Sequence, residues 1–264
     1  MGTPVAMAIA AHPDDIEFMM AGTLLLLKQA GMDIHMWNLA KGQGGSAVHP
    51  YEEIIRLRWE EAQDSARIAG ATLHPPITED LDILYVPAQL ARVAAVIRQV
   101  QPSILLIPSP QDYMEDHANT ARLAVTGAFV RGILNFRTDP PVPQWGGECV
   151  LYHALPYGLR DGLRRRIHAG QYVDISSVIA TKQRMLEQHR SQKDWLDTSQ
   201  GNGAYAAVMV NMSREVGTRS GHFELAEGWR RHSHLGFSVE DADPLREMLG
   251  EACWVDPSYE AGLE

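Results

Sequence analysis

The chain has 264 residues, is 45% hydrophobic and carries a formal net charge of −10. That length and apolar content suffice for a sizeable core, read here as a single α/β domain over 1–264, and the acidic balance argues against nucleic acid or anionic membrane as a partner. The two cysteines, Cys149 and Cys253, lie far apart without metal-ligand spacing. No basic leader or membrane-length apolar run is present, so a reducing, cytoplasmic setting is expected, with no membrane span and a homo-oligomer left open.

Val5 to Ala11 is an uncharged run of small and apolar residues, the pattern of a strand buried on both faces of a parallel sheet. It ends in His12-Pro13-Asp14-Asp15. Ligand crevices of open α/β sheets lie beyond the carboxyl ends of the strands, where this turn falls. A helix is expected over Met19–Ala30, stopped by Gly31, and a strand over Ile34–Leu39, together a βαβ unit. The glycine-rich loop Lys41 to Ser46 then lies at the same sheet edge and is placed to wall the site; its glycines do not fit a dinucleotide fingerprint.

Tyr51–Ala69 has the apolar stripe of an amphipathic helix ending at Gly70, and its Arg58, Glu60 and Glu61 read as solvated charges. Thr72–Ile77 reads as a third strand, Pro87–Val100 as a helix and Ile104–Ile107 as a second buried strand. The exit of that strand runs from Pro108 to His117, so charge again begins where the strand stops, and His117 falls in the first turn of the next helix. Val150–Ala154 and Tyr172–Ile175 read as further strands, the latter followed by a helix through Val178, Lys182, Met185 and Leu186. Glu224–Arg230 reads as a short helix, and the acidic tail beyond Glu240 is expected to pack outside the core or fray.

His12, Asp15 and His117 form a candidate metal set, because two imidazoles and a carboxylate suit catalytic zinc, which keeps a fourth position for water. Zinc lowers the pKa of its water toward about 7 and polarises a carbonyl. Asp14 is the candidate general base, otherwise a capping aspartate or one behind the ligands, and Asp116 is read as a carboxylate orienting an imidazole or backbone group rather than as a ligand. No Gly-x-Ser-x-Gly elbow supports serine chemistry. Fe2+ or Mn2+ could occupy a similar site.

With these motifs, and with Lys41–Gly45, Arg58–Ala62, Asp174–Ser176, Lys182, His189–Gln192 and Ala226–Arg230 in the same order, the chain resembles the PIG-L/LmbE-like zinc-dependent de-N-acetylases. The resemblance implies a Rossmann-like, mostly parallel sheet flanked by helices, with the metal at the C-terminal strand ends. It also implies hydrolysis of an N-acetyl group from an acetamido-sugar-type small molecule. Carried over by position, His12, Asp15 and His117 hold zinc, Asp14 is the base, Arg58, Asp82 and Met114 stand near the sugar pocket, and Asp116 and His189 lie behind the ligands. Met114 departs from the family, whose His-x-Asp-His begins with a histidine that serves the oxyanion or the amine. A thioether is only a weak acceptor and does neither, which leaves zinc, Tyr113, His189 or His222 for that work. Hydrolysis of a different amide or ester, or binding without catalysis, are the alternatives.

Overall fold

The computed structural model describes residues 2–46, 48–192, 205–240 and 242–263. An eight-stranded mixed sheet in the order β3-β2-β1-β4-β5-β7-β6-β8 runs through it. The strands are β1 (Val5–Ala10), β2 (Asp33–Asn38), β3 (Thr72–His74), β4 (Ile104–Ile107), β5 (Val150–Ala154), β6 (Gln171–Asp174), β7 (Ala226–Arg231) and β8 (Cys253–Val255). The pairs from β3 through β5 are parallel, whereas β7 pairs antiparallel with β5 and β6, and β8 antiparallel with β6. This is the expected α/β, Rossmann-like arrangement, with the antiparallel strands added at one side.

Helices cover both faces: α1 (Asp15–Met19), α2 (Ala21–Gln29), α3 (Tyr51–Ala69), α4 (Pro87–Val100), α5 (Glu115–Phe129), α6 (Ile179–Leu186), α7 (Tyr205–Ser220), α8 (Pro244–Leu249) and α9 (Pro257–Ala261). Strand alternation divides the core. Ala6, Ala8 and Ala10 of β1 join α2, α6 and α7 on one side, while Met7 and Ile9 join α4 and α5 on the other. The chain goes outward from β1 through β2 to β3 and then crosses back to β4, so β1 and β4 are the point where strand order reverses. Their carboxyl ends are the natural mouth of a crevice.

Three expectations are corrected. Glu224–Arg230 is not a helix, because Ala226–Arg231 forms β7. Its Glu, Leu, Ala and Arg residues favour helix, but pairing with strands on both sides overrides that preference. The tail is not peripheral: Leu245 is fully buried, and β8 covers an edge of β6 that would otherwise expose unpaired backbone. Arg58 is not a solvated helix charge, being 2% exposed.

Candidate functional site

The turn after β1 is built around an unusual backbone. Asp14 has φ 106° and ψ −24°, a left-handed conformation that costs a non-glycine residue about 1–3 kcal/mol. That reversal lets α1 begin at once with Asp15, and it separates the two adjacent carboxylates. Asp15 Oδ2 accepts the His12 backbone N–H at 2.8 Å and lies 3.5 Å from His12 Nδ1. Asp14 Oδ2 instead accepts the Tyr205 hydroxyl and lies 3.8 Å from Arg58 Nη2.

The exit of β4 supplies the third group. His117, in the first turn of α5, places Nε2 3.3 Å from Asp15 Oδ2. One donor atom each from His12, Asp15 and His117 lies within 4.8 Å of the other two, close enough to share one divalent cation. The outward nitrogens are occupied by carboxylates: His12 Nε2 is 2.9 Å from Asp116 Oδ2, and His117 Nδ1 is 3.1 Å from Asp112 Oδ1. Such carboxylate–imidazole pairs fix the tautomer that turns the other nitrogen toward a metal. Asp116 also accepts the Leu81 backbone N–H at 2.7 Å, which ties the 79–82 turn to the centre.

Electrostatics follow from this packing. Burial alone would lower both imidazoles, but Asp116 and Asp15 raise His12 to about 9, and Asp15 and Asp112 raise His117 to about 11. Burial would likewise lift Asp15, yet His117 and His12 hold it well below the usual carboxylate range. The cluster is thus two cationic imidazoles around an anion until a divalent cation replaces the protons, so metal uptake is coupled to proton release. Asp14 behaves differently. Burial raises its carboxyl, and the opposing pull of Arg58 does not cancel it.

Asp112 was not expected from sequence. Its signal is faint: a carboxylate five residues before His117 in the charged strand exit, which points nowhere until the loop folds. Replacing Asp112 with asparagine is expected to weaken metal affinity about 10–100-fold, read by competition with a chromophoric chelator. An unchanged affinity would deny Asp112 any part in orienting His117.

A cleft of about 320 Å³ opens over this cluster, lined by His12, Asp14, Asp15 and His117 together with Arg58, Tyr113, Met114 and Tyr157. Asp82 is not brought there, since its carboxylate accepts from Thr78 Oγ1 at 2.9 Å; Asp80 and Leu81 reach the cleft in its place. Arg58 donates to the Pro13 carbonyl and to Gln192 Oε1, and so clamps the His12–Asp15 turn from α3. Glu61 in turn holds Ser191, accepting its backbone N–H at 2.8 Å and its hydroxyl at 2.7 Å. The glycine loop closes over the clamp. Gly42 has φ 83°, and a Cβ there would sit 2.5 Å from Arg58 Nε, so neither its conformation nor its space admits a side chain. Asp80 fastens the loop by accepting the Gly42 and Gly44 N–H groups, each at 2.7 Å.

Of the groups considered as stand-ins for the histidine missing at Met114, only Tyr113 lines the cleft, its ring edge-on to His117 at 5.8 Å. His222 stacks on Trp254 with centroids 4.1 Å apart, and His189 is fully buried. Nε2 of His189 lies 3.1 Å from Glu17 Oε1, which also accepts from Ser65. Burial opposes both charges in that pair. Nevertheless His189 holds Glu17 below its ordinary value of 4.5, and Glu17 holds His189 above 6.5. The depressed carboxyl stabilises the fold above about pH 4.5 and loses that contribution as pH falls; the raised imidazole stabilises fully below about pH 6.5 and loses it as pH rises. The stability gap between wild type and His189→Gln is therefore expected to be largest between pH 4.5 and 6.5, measured by denaturant titration. A gap independent of pH from 4 to about 9 would show that the pair is not charged.

With the His-Asp-His geometry on the matched strand exits, the comparisons have a physical meaning. Residues 7–128 match the PIG-L family. That family model is described as GlcNAc-PI de-N-acetylase. The match spans the His12–Asp15 turn, the glycine loop, Arg58 and the Pro108–His117 exit. A diacetylchitobiose deacetylase of Thermococcus kodakarensis is 28% identical over 194 residues, 70% of this chain and 69% of that protein. A 4-oxalmesaconate hydratase of Pseudomonas putida is 29% identical over 140 residues, 47% of this chain and 52% of that protein. The same fold occurs in the crystal structure of the 4-carboxy-2-hydroxymuconate hydratase GalB of Pseudomonas putida, with TM-score 0.74 and 20% identity over 91% of this chain and 99% of that one. N,N'-diacetylchitobiose deacetylase of Pyrococcus horikoshii shares it with TM-score 0.73 and 20% identity, over 91% and 88% of the two chains. No described helix is long and apolar enough to cross a membrane.

Proposed function

We propose that this protein is a PIG-L-type, divalent-metal-dependent hydrolase that removes an N-acetyl group from an acetamido sugar or glycoconjugate, acting as one domain in the cytoplasm with zinc as the preferred metal. The observation that carries the reading is the convergence of His12, Asp15 and His117 beside Asp14 at the floor of one cleft. His12 Nδ1, Asp15 Oδ2 and His117 Nε2 would hold the cation, which when bound supplies water activation and Lewis acidity. Asp14 takes the proton from the attacking water and returns it to the departing amine. Tyr205 and Arg58 both engage Oδ2 of Asp14, which leaves Oδ1 for that transfer. Burial and the Asp15 carboxylate push the Tyr113 phenol upward, so it stays protonated at neutral pH and is a donor for the oxyanion in place of the histidine absent at Met114.

Metal analysis combined with acetate release tests the reading. Protein reconstituted with zinc, Fe2+ or Mn2+ is expected to liberate acetate from N-acetylglucosamine or diacetylchitobiose, and His12→Ala to abolish both metal retention and release. Stoichiometric metal with no acetate from any acetamido sugar would retire the substrate class. The hydratase relative favours a second reading on the same residues, addition of water across a double bond of an unsaturated acid. Loss of the double bond's absorbance without a released acyl group would identify it.

A further inference from the structure

A second concave surface, of about 440 Å³, shares no lining residue with the catalytic cleft. It lies on the other side of the β4 exit, between α5 and the end of β7, and its charged and imidazole groups are Arg122, Arg230, Arg231, His153 and His232. Among the described residues no carboxylate lines it, in a chain whose net charge is −10. We propose that this groove is a binding site for a phosphate group, either inorganic phosphate or the phosphate of a small ester.

The guanidinium groups of Arg122 and Arg230 are held in place without being neutralised. Arg230 donates to Gln111 Oε1 and, at 2.8 Å, to Ser109 Oγ, both uncharged, while its buried Nε has no partner among the described residues. Arg122 lies over the Tyr85 ring at 4.5 Å, and the Tyr85 hydroxyl is fixed 3.0 Å from Thr126 Oγ1. Arg231, the next residue on β7, leaves the opposite face of the sheet, donates to the Ala242 carbonyl at 3.1 Å and pairs with Glu260 at 3.9 Å and Asp243 at 4.0 Å, so its guanidinium is already engaged. Two guanidinium forks, those of Arg122 and Arg230, line one groove without a carboxylate paired to either among the described residues, and such forks suit an oxyanion, since each can donate two parallel hydrogen bonds to it. The desolvated Arg230 guanidinium lacks a carboxylate partner among the described residues, which is unfavourable, and an anion in the groove would relieve it.

The histidine pair selects among oxyanions. His153 Nδ1 is 2.9 Å from the Pro108 carbonyl, an acceptor only, so that nitrogen carries the proton. Its Nε2 therefore accepts from His232 Nδ1, 3.0 Å away, and in the neutral form of His232, which its burial favours, Nε2 is left as an acceptor. Monohydrogen phosphate brings an O–H to such an acceptor; a dicarboxylate ionised at neutral pH does not. The groove also touches the segment that carries His117, because Pro108, Ser109 and Gln111 are all held from this side.

Calorimetric titration of the full chain at neutral pH with inorganic phosphate, and separately with succinate, tests the assignment. One phosphate per chain is expected to bind, at least about tenfold more weakly in Arg122→Gln and in Arg230→Gln, with each variant's melting curve reporting that it is folded. Succinate is expected to bind more weakly than phosphate. Phosphate binding unaffected by both substitutions would place the ion elsewhere, the His12–Asp15–His117 cluster included, and overturn the proposal, as would no binding at millimolar phosphate. Tighter binding of succinate would overturn the choice of phosphate. None of these outcomes depends on acetate release, so the groove stands or falls separately from the proposed deacetylation.

Discussion

Asp14→Asn is expected to lower turnover of the acetamido substrate about 10²–10⁴-fold while leaving the metal bound, the range over which a positioned general base acts. The substitution is well suited to isolate chemistry from folding. Asparagine tolerates positive φ, so the strained turn at φ 106° is retained, and its amide oxygen can still accept the Tyr205 hydroxyl. Asp15, which faces His12 and His117, is untouched. What disappears is the capacity to take a proton from water. Metal content by atomic emission and acetate release by a coupled assay give the two readouts. Turnover within about threefold of wild type, with metal still present, would remove Asp14 from the mechanism.

The largest effect on stability is expected behind the site, where β7 meets α2. Glu227 is 3% exposed and accepts the Gly22 N–H at 2.8 Å and the Thr23 N–H at 2.7 Å, satisfying backbone donors that a helix N-terminus leaves unpaired. Lys182, fully buried on α6, places Nζ 2.6 Å from the same carboxylate. Trp229 adds a bond from Nε1 to Thr23 Oγ1 at 3.0 Å. Lys182→Met removes the only cation paired with Glu227 among the described residues and strands a buried charge. The expected loss is about 3–5 kcal/mol, or on the order of 10 °C in melting temperature for a chain this long. The double variant Lys182→Met with Glu227→Gln is expected to regain part of that loss, because a neutral amide oxygen still caps α2 without an orphan charge. A Lys182→Met penalty below about 1 kcal/mol by denaturant titration would show that the two backbone donors alone sustain the carboxylate.

The same network shows why part of the fold was illegible in the sequence. Glu227 reads locally as a helix-forming residue in Glu224–Arg230, and nothing within that stretch reveals β5 and β6 waiting on either side. Its partners Gly22 and Thr23 lie 205 and 204 residues away. Arg58 misleads for a related reason, since a charged residue on an amphipathic helix is ordinarily solvated, and only the glycine loop folding over it removes the water. Tyr205 contacts Asp14 across 191 residues and leaves no local trace at all. Asp82 and Asp80 illustrate a finer limit: a cluster of acidic residues in a turn announces polarity but not which side chain faces the cleft.

The sequence by itself determined the strands whose both faces are buried, the amphipathic helices between them and the two charged exits bearing His12, Asp15 and His117. Those features are local, because periodicity records burial and a strand end marks where polar chemistry can begin. Tertiary structure alone decided the pairings. It brought the β1 and β4 exits together at the reversal of strand order, set Asp112 behind His117 and Asp116 behind His12, buried Arg58 as a clamp and drew the C-terminal segment into the sheet as β8. Ligand distances and hydrogen-bond partners depend on which strands become neighbours, and that is fixed by the packing of the whole chain rather than by any stretch of it.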